Sequence, residues 1–78
     1  MEREYEPADF PYPLNEDMAA AYAAKEAYDL SPSDSNKYWS LKEALYQIRL
    51  TLKSLSITGY VTPMLCDEIE DYFWGFLL

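Results

Sequence analysis

Carboxylates are the reactive groups this sequence offers in quantity, and the densest set, Asp67, Glu68, Glu70 and Asp71, directly follows the single cysteine, Cys66. Paired carboxylates can do acid–base work or hold a divalent metal, and a cysteine at the start of a helix is a candidate nucleophile. Each of these chemistries wants a companion that is missing. Histidine is absent from the whole sequence, which removes the usual general base near neutral pH and the commonest metal ligand. Carboxylate metal sites on helices combine Glu with Glu-x-x-His. A thiol is activated by neighbouring cations, whereas Cys66 is followed by Asp67 and Glu68. The segment 29–36 lacks the ligand spacing and central glycine of an EF-hand loop. Two glycines make no phosphate-cradling loop, and 78 residues rarely enclose a substrate cleft for a glycosidase-like carboxylate pair. The expectation is a non-enzymatic protein without metal or cofactor, in which Cys66 is a small core residue.

The elements that would position these groups follow from breakers and caps. Residues 1–14 read as an extended arm, because Pro7, Pro11 and Pro13 fix φ and push their predecessors out of the helical region. Its Tyr5, Phe10 and Tyr12 argue for packing along the body. Asn15 is a suitable N-cap, with Glu16 and Asp17 placed for the helix dipole, and the alanine-rich run that follows predicts a helix over 15–30. On a wheel Ala20, Ala23, Ala24 and Ala27 share one side, suited to close helix approach, and Tyr22, Lys25, Glu26 and Asp29 share the other. The segment 30–36 is a loop by composition.

A second helix over about 36–57 starts either at Ser35 or at Ser40, where Ser40 and Glu43 form a capping box flanked by Trp39 and Ala44. Thr62 followed by Pro63 marks the start of a third helix over 63–75, with Gly75 as its C-terminal stop. Residues 57–61 are β-prone but have no pairing partner. The fold class expected is all-α, a three-helix domain over 15–78 preceded by the Pro-containing arm.

The wheels give two kinds of surface. Leu41, Leu45, Ile48, Leu52 and Leu55 form one continuous core stripe, and Trp39, Tyr46, Leu50 and Ile57 form a second on nearly the opposite side. A helix apolar on two faces needs cover on both, from its own fold, a partner or a second copy. Between the stripes runs a basic line, Lys42, Arg49 and Lys53, expected to neutralise acids on neighbouring helices. In the third helix Leu65, Ile69, Tyr72, Phe73 and Phe76 gather toward the core, while Asp67, Glu70 and Asp71 gather outside with Trp74 among them. An exposed tryptophan in an acidic patch would be a binding hot spot; a tryptophan folded back on the core would not. Burial of the apolar segment 72–78 is expected to involve the core or a second copy, so a homodimer is one expectation.

Acids outnumber bases fourteen to six, for a net charge of −8, which argues against direct nucleic-acid binding. Half the residues are hydrophobic, which argues against disorder. No apolar run approaches a membrane span, no basic-then-apolar leader opens the sequence, and one cysteine suits a reducing compartment, so a cytoplasmic location is expected.

Small size, strong acidity and eight tyrosines resemble the phage-encoded inhibitors of bacterial defence, of anti-CRISPR and anti-restriction type. The resemblance is one of composition and carries no residue roles over. It implies a protein that binds and blocks a nucleic-acid-handling effector in the host bacterial cytoplasm, its carboxylates standing in for phosphates. The partner-binding residues would then be Asp67, Glu70, Asp71 and Trp74, together with Glu16 and Asp17. The other expectation is a helical dimerisation or adaptor module acting through Trp39, Tyr46, Leu50 and Ile57.

Overall fold

A computed structural model describes residues 3–77, and over that span the chain is all-α. A 3-10 turn, Pro7–Asp9, precedes three helices: α1, Leu14–Leu30; α2, Ser35–Thr58; and α3, Pro63–Trp74. A second 3-10 turn, Gly75–Leu77, follows directly. Residue 78, the last of the apolar run, lies outside the described residues, as do residues 1 and 2 of the arm.

α2 is the backbone of the fold. Leu41, Leu45, Ile48, Leu52 and Leu55 are all buried, as their spacing requires. Against them α1 sets Leu14, Met18, Ala21 and Tyr22, and α3 sets Cys66, Ile69 and Phe73. Removing each large side chain in this set from water contributes about 1.5–3 kcal/mol.

The inward face of α1 is not the alanine face. Ala20 and Ala23 are exposed, Ala24 and Ala27 are half-buried, and Tyr22 is completely buried. Turning Leu14, Met18 and Tyr22 inward, at spacings of four, removes far more apolar area from water than turning alanines inward. The cost of burying a phenol is met by a partner: the Tyr22 hydroxyl donates to the Tyr5 carbonyl at 2.6 Å. Leu14 therefore belongs to α1 and not to the arm.

Helix ends follow simple cap chemistry at three places and depart from the expected caps at two. The start at Ser35 holds, because Asp34 accepts from the Asn36 N–H at 2.9 Å, which leaves Ser40 inside the helix. α2 closes on Gly59 at φ 82°, with the Tyr60 N–H donating to Leu55 O at 3.0 Å and the Gly59 N–H to Ser56 O at 3.2 Å. That is a Schellman end, and it absorbs Ile57 and Thr58 into the helix instead of a strand. Thr62 caps α3 through the Leu65 N–H at 3.2 Å, with Pro63 next.

Asn15, by contrast, is not the cap of α1. The Asn15 and Asp17 N–H groups are satisfied by the carbonyls of Pro11 and Pro13, at 3.1 and 3.0 Å, while the Asn15 side chain accepts from Glu16 N–H. The proline turns do the capping, so the helix begins one residue earlier. Gly75 does not stop α3 either. It stays right-handed at φ −58° and leads into the 3-10 turn that buries Phe76. Lys25 Nζ donates to Phe76 O at 3.2 Å and holds that turn on α1. The apolar C-terminal segment is thus covered by the chain's own core as far as residue 77, with no second copy needed there.

The arm is not fully extended. Its 3-10 turn returns Tyr5 and Phe10 to the core, where their rings meet edge to face at 6.1 Å, while Tyr12 remains exposed.

Candidate interaction surface

The second apolar stripe of α2 remains uncovered. Trp39, Tyr46, Leu50 and Ile57 are 55%, 53%, 49% and 79% exposed. At about 100° per residue the four lie within ~20° of one line along the helix, on a seam ~27 Å long at 1.5 Å per residue. α1 and α3 pack on the opposite side, so the expected cover on both faces exists on one face alone. Trp39, Lys42, Glu43, Tyr46 and Gln47 border a shallow depression at its N-terminal end. There Lys42 Nζ sits 5.0 Å from the centre of the Trp39 ring, a cation–π contact.

The basic line behaves unevenly. Arg49 Nε pairs with Glu70 Oε1 at 3.0 Å across α2 and α3. Lys53 lines the same crevice, with Ser56, Asp67 and Glu70. The expected neutralisation of α3 acids is therefore realised at Arg49, while Lys42 faces an aromatic ring instead.

The six residues expected to form one acidic binding patch do not come together. Asp17 accepts a hydrogen bond from Thr51 Oγ1, on the α1 side of α2. Arg49, which holds Glu70, is turned about 200° away from Thr51 around the helix. Glu16 accompanies Asp17 at the start of α1. Asp67 and Glu70 border the α2–α3 crevice. Asp71 lies in another crevice altogether, with Glu4, Tyr5, Glu68 and Tyr72. Trp74 packs half-buried against the core and does not project from an acidic face.

The crevice around Asp71 contains residues that sequence reasoning passed over. Glu4 arrives from the arm, its N–H donating to the Tyr72 hydroxyl at 3.2 Å, and joins Glu68 and Asp71 of α3. Burial pushes the Tyr5 phenol above its ordinary pKa, and the charges of Glu4 and Glu68 add to the effect. Beneath it burial pushes the Tyr22 phenol up strongly, reinforced by hydrogen bonding to Tyr72. Arg3, whose guanidinium lies 4.5 Å from the centre of the Tyr22 ring, opposes that shift weakly. The only sequence signal for this cluster was the aromatic content of the arm, which does not specify where the arm lands.

No protein-family profile matches this sequence, and neither a curated protein nor a solved structure is detectably similar to it. The functional reading therefore comes from the surface itself.

Cys66 is buried, its thiol donating to Leu52 O at 3.5 Å. Burial raises its pKa, the charges of Asp67 and Glu70 raise it further, and only a hydrogen bond to Ser56 works the other way. That is a thiol held in its unreactive form. Among the described residues no three metal-ligating side chains converge. Among the same residues no helix is long and apolar enough to cross a membrane.

Proposed function

We propose that this chain is a non-enzymatic protein-binding module whose docking surface is the outer face of α2. The observation that carries this reading is the row Trp39, Tyr46, Leu50 and Ile57, four large apolar side chains half-exposed or more on one helical line. Scattered exposed apolar residues are ordinary on a protein surface; four aligned on one helical line, with a tryptophan and a tyrosine among them, have the composition of an interface core. The acidic remainder of the surface keeps such a row soluble in the free protein.

The test compares wild type with Trp39→Ser and Leu50→Glu, following association by sedimentation and by affinity capture. Both variants should keep the helical circular dichroism of the wild type and lose association. Association that survives both substitutions would exclude the outer face of α2.

A second reading, an acidic inhibitor that blocks a nucleic-acid-handling protein of the CRISPR-effector kind in a bacterial cytoplasm, draws support from one feature. Glu4, Glu68 and Asp71 from two distant parts of the chain border one crevice with Tyr5 and Tyr72, a mixture of carboxylates and rings that can stand in for phosphates and bases. Inhibition of that kind should weaken with salt and disappear in Glu4→Gln/Glu68→Gln/Asp71→Asn while folding persists. Binding indifferent to salt and to those substitutions, but lost in Leu50→Glu, would exclude it and leave the α2 surface.

A further inference from the structure

We infer that the occupant of the α2 outer face is a second copy of this chain, docked antiparallel across a two-fold axis at the level of Ile48. The inference rests on the docking surface proposed above and names what fills it. Trp39 and Ile57 lie nine residues on either side of Ile48, and Tyr46 and Leu50 lie two on either side. Turned end for end, the stripe lays every apolar position on another apolar position. A two-fold interface requires this kind of self-complementarity.

The side-chain sizes select the direction. Aromatic residues occupy the N-terminal half of the stripe and branched aliphatic residues the C-terminal half. Reversal sets Trp39 against Ile57 and Tyr46 against Leu50, large against small at each level, which lets facing side chains interdigitate at interior density. A parallel pair would crowd tryptophan on tryptophan and tyrosine on tyrosine at one end and leave the other end thin.

Charge is compatible with the same arrangement. The segment 37–60 carries +3, while the residues before it carry −7 and those after it −4. Two acidic molecules that meet along α2 bring together their one positive stretch and keep most carboxylates at the periphery. In an antiparallel pair each flank meets the same flank run backwards. The basic flank is mixed in sign, since Glu70 pairs with Arg49 and Asp67 lies in the crevice with Lys53. Reversal carries Lys42 of one copy to the end of the other where Asp67 stands.

The area sets the strength. Four side chains of roughly 200 Å² apiece, buried from about their present exposure on two copies, remove on the order of 1,000 Å² before the flanks are counted. With the flanks this reaches the lower edge of specific interfaces, the size class of weak, reversible association.

The experiment is sedimentation equilibrium of the full chain from low micromolar to millimolar concentration, paired with cysteine probes for direction. Glu43→Cys and Ser54→Cys place thiols on one exposed flank, outside the apolar stripe, while Cys66 stays buried. Mixing the two variants should give a mixed disulfide at least tenfold faster than either variant cross-links with itself. Leu50→Glu should weaken the dimer at least tenfold and leave its circular dichroism unchanged.

Faster self-cross-linking of each variant than of the mixture would overturn the antiparallel register. A dimer that tolerates Leu50→Glu would overturn the interface. A chain that stays monomeric at millimolar concentration overturns the second copy as occupant. The docking surface itself is then decided with a synthetic amphipathic helix bearing an acidic flank. Binding to wild type but not to Leu50→Glu retains the surface, and binding to neither removes it as well.

Discussion

The Tyr22 hydroxyl donates to the backbone carbonyl of Tyr5 at 2.6 Å, which fastens the arm to the buried face of α1. The same ring carries Arg3 on one side and packs against Phe73 and Phe76, at 5.2 and 5.8 Å between centroids. Tyr22→Phe keeps the packing and removes the donor. It should cost about 1 kcal/mol, and hydrogen exchange in residues 3–10 should accelerate more than exchange in α2. Tyr22→Ala removes the ring as well and should cost about 3–5 kcal/mol by chemical denaturation.

Alkali should unfold this protein through the same residue. In the folded state the Tyr22 phenol is raised well above the ordinary value of 10.0 that it regains on unfolding. Above that value the unfolded chain has released the proton and the folded chain still holds it, so stability falls as pH rises. Tyr5 and Cys66, both shifted upward, act in the same sense, the thiol from its ordinary value of 9.0. Denaturation midpoints measured between neutrality and strong alkali should decline above about pH 9, and Tyr22→Phe should flatten the steeper part. A midpoint insensitive to pH over that range would contradict the burial of these groups.

Two leucines two residues apart should respond to truncation by very different amounts. Leu52 is 1% exposed and Leu50 49% exposed. Leu52→Ala leaves a cavity in the core and should cost about 2–5 kcal/mol. Leu50→Ala, measured at dilute concentration, should stay within about 0.5 kcal/mol.

Asp17 and Thr51 form a polar link between α1 and α2, and Thr51 is buried, at 6% exposure. Thr51→Val preserves the shape and strands the carboxylate, so it should cost about 1–3 kcal/mol. Breaking the more exposed Arg49–Glu70 pair by Glu70→Gln should cost at most about 1 kcal/mol. Equal effects from the two substitutions would mean that burial does not separate these contacts.

Gly59 sits at φ 82° with open space where a Cβ would go. Gly59→Ala therefore meets no clash and pays only for the left-handed backbone, about 1 kcal/mol. A thermal melt resolves that difference.

What was legible in the sequence was what local periodicity and caps determine. The core stripe Leu41, Leu45, Ile48, Leu52 and Leu55 needed no tertiary knowledge, and neither did Thr62 with Pro63 at the start of α3. Tyr22 was misplaced because wheel reasoning valued alanine packing and could not see that a carbonyl seventeen residues upstream would satisfy its hydroxyl. Gly75 was misread for a related reason: Phe76 gains more by burial than a glycine stop would gain by capping. The acidic patch dispersed because Asp17 answers to Thr51 and Glu70 to Arg49, while Asp71 lines a separate crevice beside the arm. The outer stripe of α2 was legible residue by residue. That none of the described residues covers it was not, because cover depends on how the helices pack.

The crowding of Tyr22 by residues 3, 5, 73 and 76 also bears on synthesis. A ribosome delivers α1 long before it delivers the rings that close over it. α2 is made first and packs against α1, while the side of Tyr22 that meets Phe73 and Phe76 stays open until residue 76 is made. Among the described residues Phe76 is the last buried core residue in chain order, so the packing around Tyr22 is complete only once that ring is in place.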